Sequence, residues 1–144
     1  MLSGALMYVH RRARWKHAAA TTYHGMAVTS TAEARMKIEN VPYTTTDWSA
    51  IAPVEHPGET GTSFWRTFEA GNLRVRIVDF SAGYLADHWC PRGHVVLVLE
   101  GEITSELSDG TSTLMKPGVS YQVSDDVAPH RSSTKNGARV FIVD

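Results

Sequence analysis

Three histidines and the only cysteine of this 144-residue chain stand where they could act together. His88 and Cys90 occupy positions i and i+2 in His88-Trp-Cys90. His94 follows after the turn-forming Pro91-Arg-Gly93, and His130 comes directly after Pro129 at the start of a later strand-like stretch. On a strand, side chains two apart share a face. Imidazole nitrogen and thiolate are the donors that zinc prefers, and imidazole also suits iron. His88, Cys90, His94 and His130 are therefore candidate ligands for one divalent metal ion, zinc or iron. Each also has a plainer explanation. A histidine at the mouth of a strand is commonly solvated, and a free cysteine commonly packs as a small hydrophobe. Cys90 could also be a nucleophile with His88 or His94 as its base, but the spacing favours ligation. His10, His17, His24 and His56 have no partner at such spacing and read as loop or surface residues.

These side chains need elements to carry them. Leu73-Arg-Val-Arg-Ile77 alternates apolar and polar residues, the period of a half-buried strand, and its arginines read as one exposed face. Residues 95–99 form a continuous β-branched and leucine run between Gly93 and Gly101. Residues 103–107 alternate again and end in Ser108-Asp-Gly110, a hairpin signal. Asn136-Gly137 between residues 131–135 and 138–143 predicts a second hairpin. Val41-Pro-Tyr, Ala52-Pro-Val and His56-Pro-Gly-Glu59 read as extended loop segments. No stretch after Met36 repeats at 3.6 residues. Many short strands with Gly and Pro turns predict an all-β fold, a small antiparallel β-barrel. In such a barrel Val96 and Val98 would share the inward face of His94, with Val95, Leu97 and Leu99 facing out. Glu100 has the same parity as His94 and is a secondary acid/base candidate. Tyr84, Trp65, Tyr121 and Arg92 could border the mouth.

Composition bounds the rest. Residues 1–35 hold Arg11, Arg12, Arg14, Lys16 and Arg35 against the single acid Glu33. That Arg-rich, Ser/Thr-rich, acid-poor text suits an organelle transit peptide or a poorly ordered basic extension. We expect the extension, with residues 36–144 as the barrel domain. The net charge of −1 lacks the basic footprint of a nucleic-acid binder. No apolar run reaches the ~18–20 residues of a membrane span. One cysteine cannot form a disulfide within the chain, which suggests a reducing, cytoplasmic setting. Dinucleotide, phosphate-loop, His-Glu-x-x-His and Gly-x-Ser-x-Gly motifs are absent. Trp48, Phe64, Trp65 and Phe68 are more aromatic bulk than a small barrel has room for, so a homodimer is expected.

The order Gly83, His88-Trp-Cys90, His94, Gly101 resembles the first motif of the cupin family, which runs Gly, His-x-His, Glu, Gly. Lys116-Pro-Gly118 and Ala128-Pro-His130 stand where the family's second motif has its turn and its histidine. Cys90 replaces the second family histidine and His94 the glutamate. The first gap is one residue shorter than in the family, and residues 124–127 are irregular. Asp87-His88-Trp-Cys90, with His56-Pro-Gly-Glu59 and Trp65-Arg66, also resembles small bacterial cupins with an Asp-His-Cys-Trp-like motif. The resemblance implies a jelly-roll cupin barrel that holds one metal ion at His88, Cys90, His94 and His130. It fixes no reaction: our reading is a single-domain protein that acts on or binds a small organic molecule, with oxygenase, isomerase and hydrolase chemistry all open. The alternative is a non-enzymatic metal-dependent sensor or small-ligand-binding module.

Overall fold

The computed structural model describes residues 36–144; the basic extension expected over residues 1–35 lies outside the described residues. Ten strands follow one another: β1 Val54–Pro57, β2 Thr62–Ala70, β3 Leu73–Phe80, β4 Tyr84–Leu85, β5 His94–Gly101, β6 Ile103–Leu107, β7 Ser112–Met115, β8 Ser120–Val123, β9 His130–Thr134 and β10 Ala138–Val143. They form a six-stranded sheet, β1-β2-β3-β10-β5-β8, and a four-stranded sheet, β4-β9-β6-β7. Every pairing is antiparallel. The fold is all-β, as expected, and is a jelly roll: the two sheets are not closed into one ladder.

Alternation along each strand builds the core between the sheets. Val78 of β3, Val96 and Val98 of β5, and Ala138, Val140 and Ile142 of β10 point inward from the larger sheet. Ile103 of β6 and Met115 of β7 meet them from the smaller one. Removing an aliphatic side chain of this size from water stabilises the fold by roughly 1.5–3 kcal/mol. Val95 and Leu99 lie exposed on the outer face, as the parity of β5 requires.

Three expectations are corrected. His56-Pro57 belongs to an edge strand, β1, where a missing N–H is tolerated. Asn136-Gly137 does not make a hairpin, because β9 and β10 lie in different sheets. It is a crossing between sheets, and it packs on another, the β5–β6 crossing at Gly101. A Cβ on Gly101 would lie 2.3 Å from the Gly137 carbonyl oxygen, and Gly101 has φ +72°. Glycine is required there for both reasons.

The third correction concerns Leu73-Arg-Val-Arg-Ile77. Arg76 is not on an exposed face; only 6 % of it reaches solvent. β3 runs on to Phe80, so Arg76 shares its side of the strand with Val78 and Phe80. Ile77 is buried too, on the opposite face. The strand is covered on both sides, and its arginine parity is the inner one.

Candidate metal centre and its cavity

Residues 86–93 form no regular strand. The same-face argument for His88 and Cys90 therefore does not apply, because it needs strand geometry. Cys90 is instead fixed by an isolated bridge to β9. Its N–H donates to the His130 carbonyl at 2.7 Å, and the His130 N–H donates back at 3.1 Å. Pro91 has no N–H, so it offers the ladder no donor there. The chain then turns into β5 against residues 124–126. The Asp126 N–H donates to the Pro91 carbonyl at 2.7 Å, and the Gly93 N–H donates to Asp125 Oδ1 at 2.7 Å. A Cβ on Gly93 would stand 2.6 Å from the Asp125 nitrogen, so this close approach needs glycine. The irregular text at residues 124–127 is thus the grip that sets the angle between Cys90 and His94.

Cys90, His94 and His130 come together. One donor atom from each lies within 4.8 Å of the other two. His94 Nε2 and His130 Nε2 are 2.7 Å apart, with the two rings perpendicular. His130 Nδ1 lies 2.9 Å from the Ala128 carbonyl, an acceptor only, so Nδ1 carries the proton and Nε2 presents its lone pair. Burial, then the neighbouring His130, pushes the His94 pKa down to about 4, so His94 is a neutral imidazole near pH 7. His94 Nδ1 is buried without a partner. Two imidazoles and a sulfur, converging from two sheets and a clamped loop, fit a borderline-soft divalent ion.

His88 is placed differently. Its side chain is 70 % exposed, and its Nδ1 lies 2.6 Å from Asp87 Oδ1. The histidine's hydrogen bond and charge hold the Asp87 carboxyl below its ordinary range. His88 lines the same cavity as the other three but stands outside their cluster. Trp89 turns away and lies over the Arg131 guanidinium, 4.6 Å from ring centroid to carbon. Glu100 does not enter the cavity; it lies at an exposed strand end, 3.3 Å from Arg139 Nη1.

The cluster sits at a cavity of about 120 Å³ between the sheets. Trp65, Phe80, Tyr84, Val96, Val140 and Ile142 supply its apolar walls. The Tyr121 hydroxyl is 3.1 Å from His94 Nε2, and burial raises its pKa, so it stays a protonated phenol. Tyr84, Trp65 and Tyr121 thus line the cavity as expected, whereas Arg92 does not.

Arg76 is the cavity residue that sequence reasoning missed. Its Nη2 donates to Asp144 Oδ2 at 2.6 Å, and its guanidinium carbon lies 4.6 Å from the Trp65 ring centroid. The same Asp144 carboxylate also accepts from Arg74 Nε and Nη2. Burial alone would raise the Asp144 pKa, but the Arg74 hydrogen bond and the two guanidinium charges outweigh it and hold the carboxyl below its usual range. For Arg76 burial wins, and its pKa is lowered. The available signal was the parity of Arg76 with Val78 and Phe80.

No protein-family model and no curated protein sequence matches the chain. Solved structures do. A cupin-like protein from Thermotoga maritima is similar over 65 % of this chain and 77 % of its own, with 15 % identity and TM-score 0.57. Ectoine synthase from P. lautus is similar over 70 % of this chain and 76 % of its own, with 17 % identity and TM-score 0.58. Hydroxypropylphosphonic acid epoxidase from S. wedmorenis is similar over 71 % of this chain and 59 % of its own, with 15 % identity and TM-score 0.56. At these identities the likeness concerns the fold, and the fold of residues 36–144 is that of the cupins.

Proposed function

We propose that the chain is a metal-dependent cupin that takes a small organic molecule beside one divalent ion. Cys90, His94 and His130 hold the ion, and the adjoining cavity holds the molecule. The convergence of three donor atoms within 4.8 Å, at the wall of a cavity, carries the reading. Three protein donors are one fewer than a closed tetrahedral zinc site uses, which leaves a place for water or ligand. A bound divalent ion supplies Lewis acidity, and iron also supplies redox chemistry. The chain's own residues do the remaining work. Apolar walls exclude water, Tyr121 offers a hydroxyl proton, and the Ala128 carbonyl orients His130. His88 is a fourth candidate ligand at the mouth; Asp87 holds its Nδ1, and its side chain must move toward the other three for Nε2 to join.

A structure of similar fold, Fe(II)-HppE with the alternative substrate (S)-1-HPP, supports a divalent metal and a substrate in a jelly roll of this kind. The Asp87-His88-Trp-Cys90 text supports placement with the small bacterial cupins. A metal-ligating Cys90 fits a reducing, cytoplasmic setting. Exposed Phe64, Val95 and Leu99 on the outer face of the larger sheet support a homodimer. No helix among the described residues is long and apolar enough to cross a membrane.

A second reading is favoured by a specific observation. Among the described residues no carboxylate lines the cavity, so the carboxylate acid/base pair of many hydrolases and isomerases is missing there. That favours dioxygen chemistry with iron, or a non-enzymatic sensor or ligand-binding module. Elemental analysis of untagged protein, followed by dioxygen uptake with the iron-loaded form, separates them. We expect one zinc or iron per chain. Less than a tenth of an equivalent after metal loading contradicts the proposal.

A further inference from the structure

We infer that Arg76 is an anion receptor and that the small molecule taken by the cavity carries a carboxylate. This deepens the proposed function and rests on its premise that the cavity is a ligand site.

Arg76 lines the cavity, and its side chain is 7 % exposed. Nη2 is engaged by Asp144, and one face of the guanidinium lies on Trp65. Nε is buried with no hydrogen-bond partner among the described residues. A guanidinium donor cannot lose its proton to escape such a position. An unmade charge-assisted hydrogen bond in a low-dielectric site is a strong demand for an acceptor. Asp144 does not meet that demand, because its carboxylate is divided between Arg76 and Arg74.

The surroundings select what can meet it. Among the described residues no Asp or Glu lines the cavity; the fixed carboxylate nearest the receptor is Asp144 on Arg76 Nη2, whose charge is matched by the two guanidiniums that share it. The nearest acid at the mouth, Asp87, is exposed and tied to His88. The space of about 120 Å³ is walled mainly by aromatic and aliphatic side chains. A cavity of this order holds about five or six non-hydrogen atoms. A short carboxylate with an apolar tail fits both ends: oxygen at Arg76, carbon against Trp65, Phe80 and Val140. Cys90 and His94 line the same cavity, so such a molecule would lie within reach of the metal cluster.

The test uses propanoate and its uncharged isostere propanamide, titrated into metal-free full-length protein at constant ionic strength. Binding is followed by the Arg76 Nε–H resonance. We expect propanoate to bind at least tenfold more tightly than propanamide and to shift that resonance. In Arg76→Gln the preference disappears. Equal binding of the two probes, no binding of either, an unmoved Nε–H resonance, or a folded Arg76→Gln variant that keeps the preference overturns the inference. A preference seen only after metal loading also overturns it, because the ion is then the receptor. Should Arg76→Gln fail to fold, the two wild-type measurements decide. A separate cobalt titration reports on the metal centre. A chain that holds no cobalt but prefers propanoate through Arg76 refutes the metal proposal and leaves this one standing.

Discussion

The loop at residues 86–93 and the strands β5 and β9 both supply metal-competent side chains, but they hold them differently. His94 and His130 are carried by ladders, and a carbonyl fixes the His130 tautomer. Cys90 gains the same fixation from its two-bond bridge to His130. His88, two residues away, has only Asp87 and is open to water. Residue type alone does not make a ligand. A donor contributes when backbone bonds or packing have already removed its freedom, so that the entropy of ordering it is not charged to binding.

Variants can break this contrast. The largest effect is expected for His130→Ala, which removes the most buried donor and the ring that faces His94. Zinc affinity should fall about 100-fold or more, or about 2.8 kcal/mol, by competition with a chromophoric chelator. Far-UV circular dichroism checks that the fold persists. Cys90→Ser replaces a thiolate by a protonated hydroxyl and should cost at least about tenfold, or about 1.4 kcal/mol. If Cys90→Ser matches wild type, the sulfur is only part of the wall.

Acid provides a test that needs no metal. The folded-state pKa of His94 is about 4, against an ordinary 6.5. The unfolded chain therefore takes up this proton first as pH falls. The His94 contribution to the stability of the metal-free protein should be level above about pH 6.5, decline between 6.5 and 4, and level off below. His94→Gln should flatten that slope in denaturant titrations between pH 7 and 4.5. An unchanged slope contradicts a buried neutral His94.

How much of this was legible depended on strand geometry. Val96 and Val98 were placed correctly because β5 is regular, and the same parity carries His94. The parity argument failed at His88 because residues 86–93 are not a strand, which Pro91 and Gly93 on one side hinted at. Arg76 was hidden for another reason. A strand covered on both faces shows alternation but not which phase is inward, and the deciding residues, Val78 and Phe80, lay beyond the alternating stretch. Asn136-Gly137 has the right local chemistry for a hairpin. Only the pairing of β10 with β3 and β5 reveals it as a crossing between sheets.

Smaller effects sharpen the contrast from the other side. His88→Ala should change zinc affinity by less than about threefold, under about 0.7 kcal/mol. A tenfold loss would mean that His88 moves inward and ligates. A chain starting at Met36 should bind metal as the full chain does and melt within a few degrees of it; a larger drop would show that residues 1–35 support the barrel.

The most direct test of the centre is the absorption spectrum of the cobalt-substituted protein. The account expects one equivalent of cobalt with a thiolate charge-transfer band in wild type and His88→Ala, and no such band in Cys90→Ser. Stoichiometric cobalt without the band in wild type would contradict it, reducing the site to His94 and His130 with His88 and moving iron ahead of zinc.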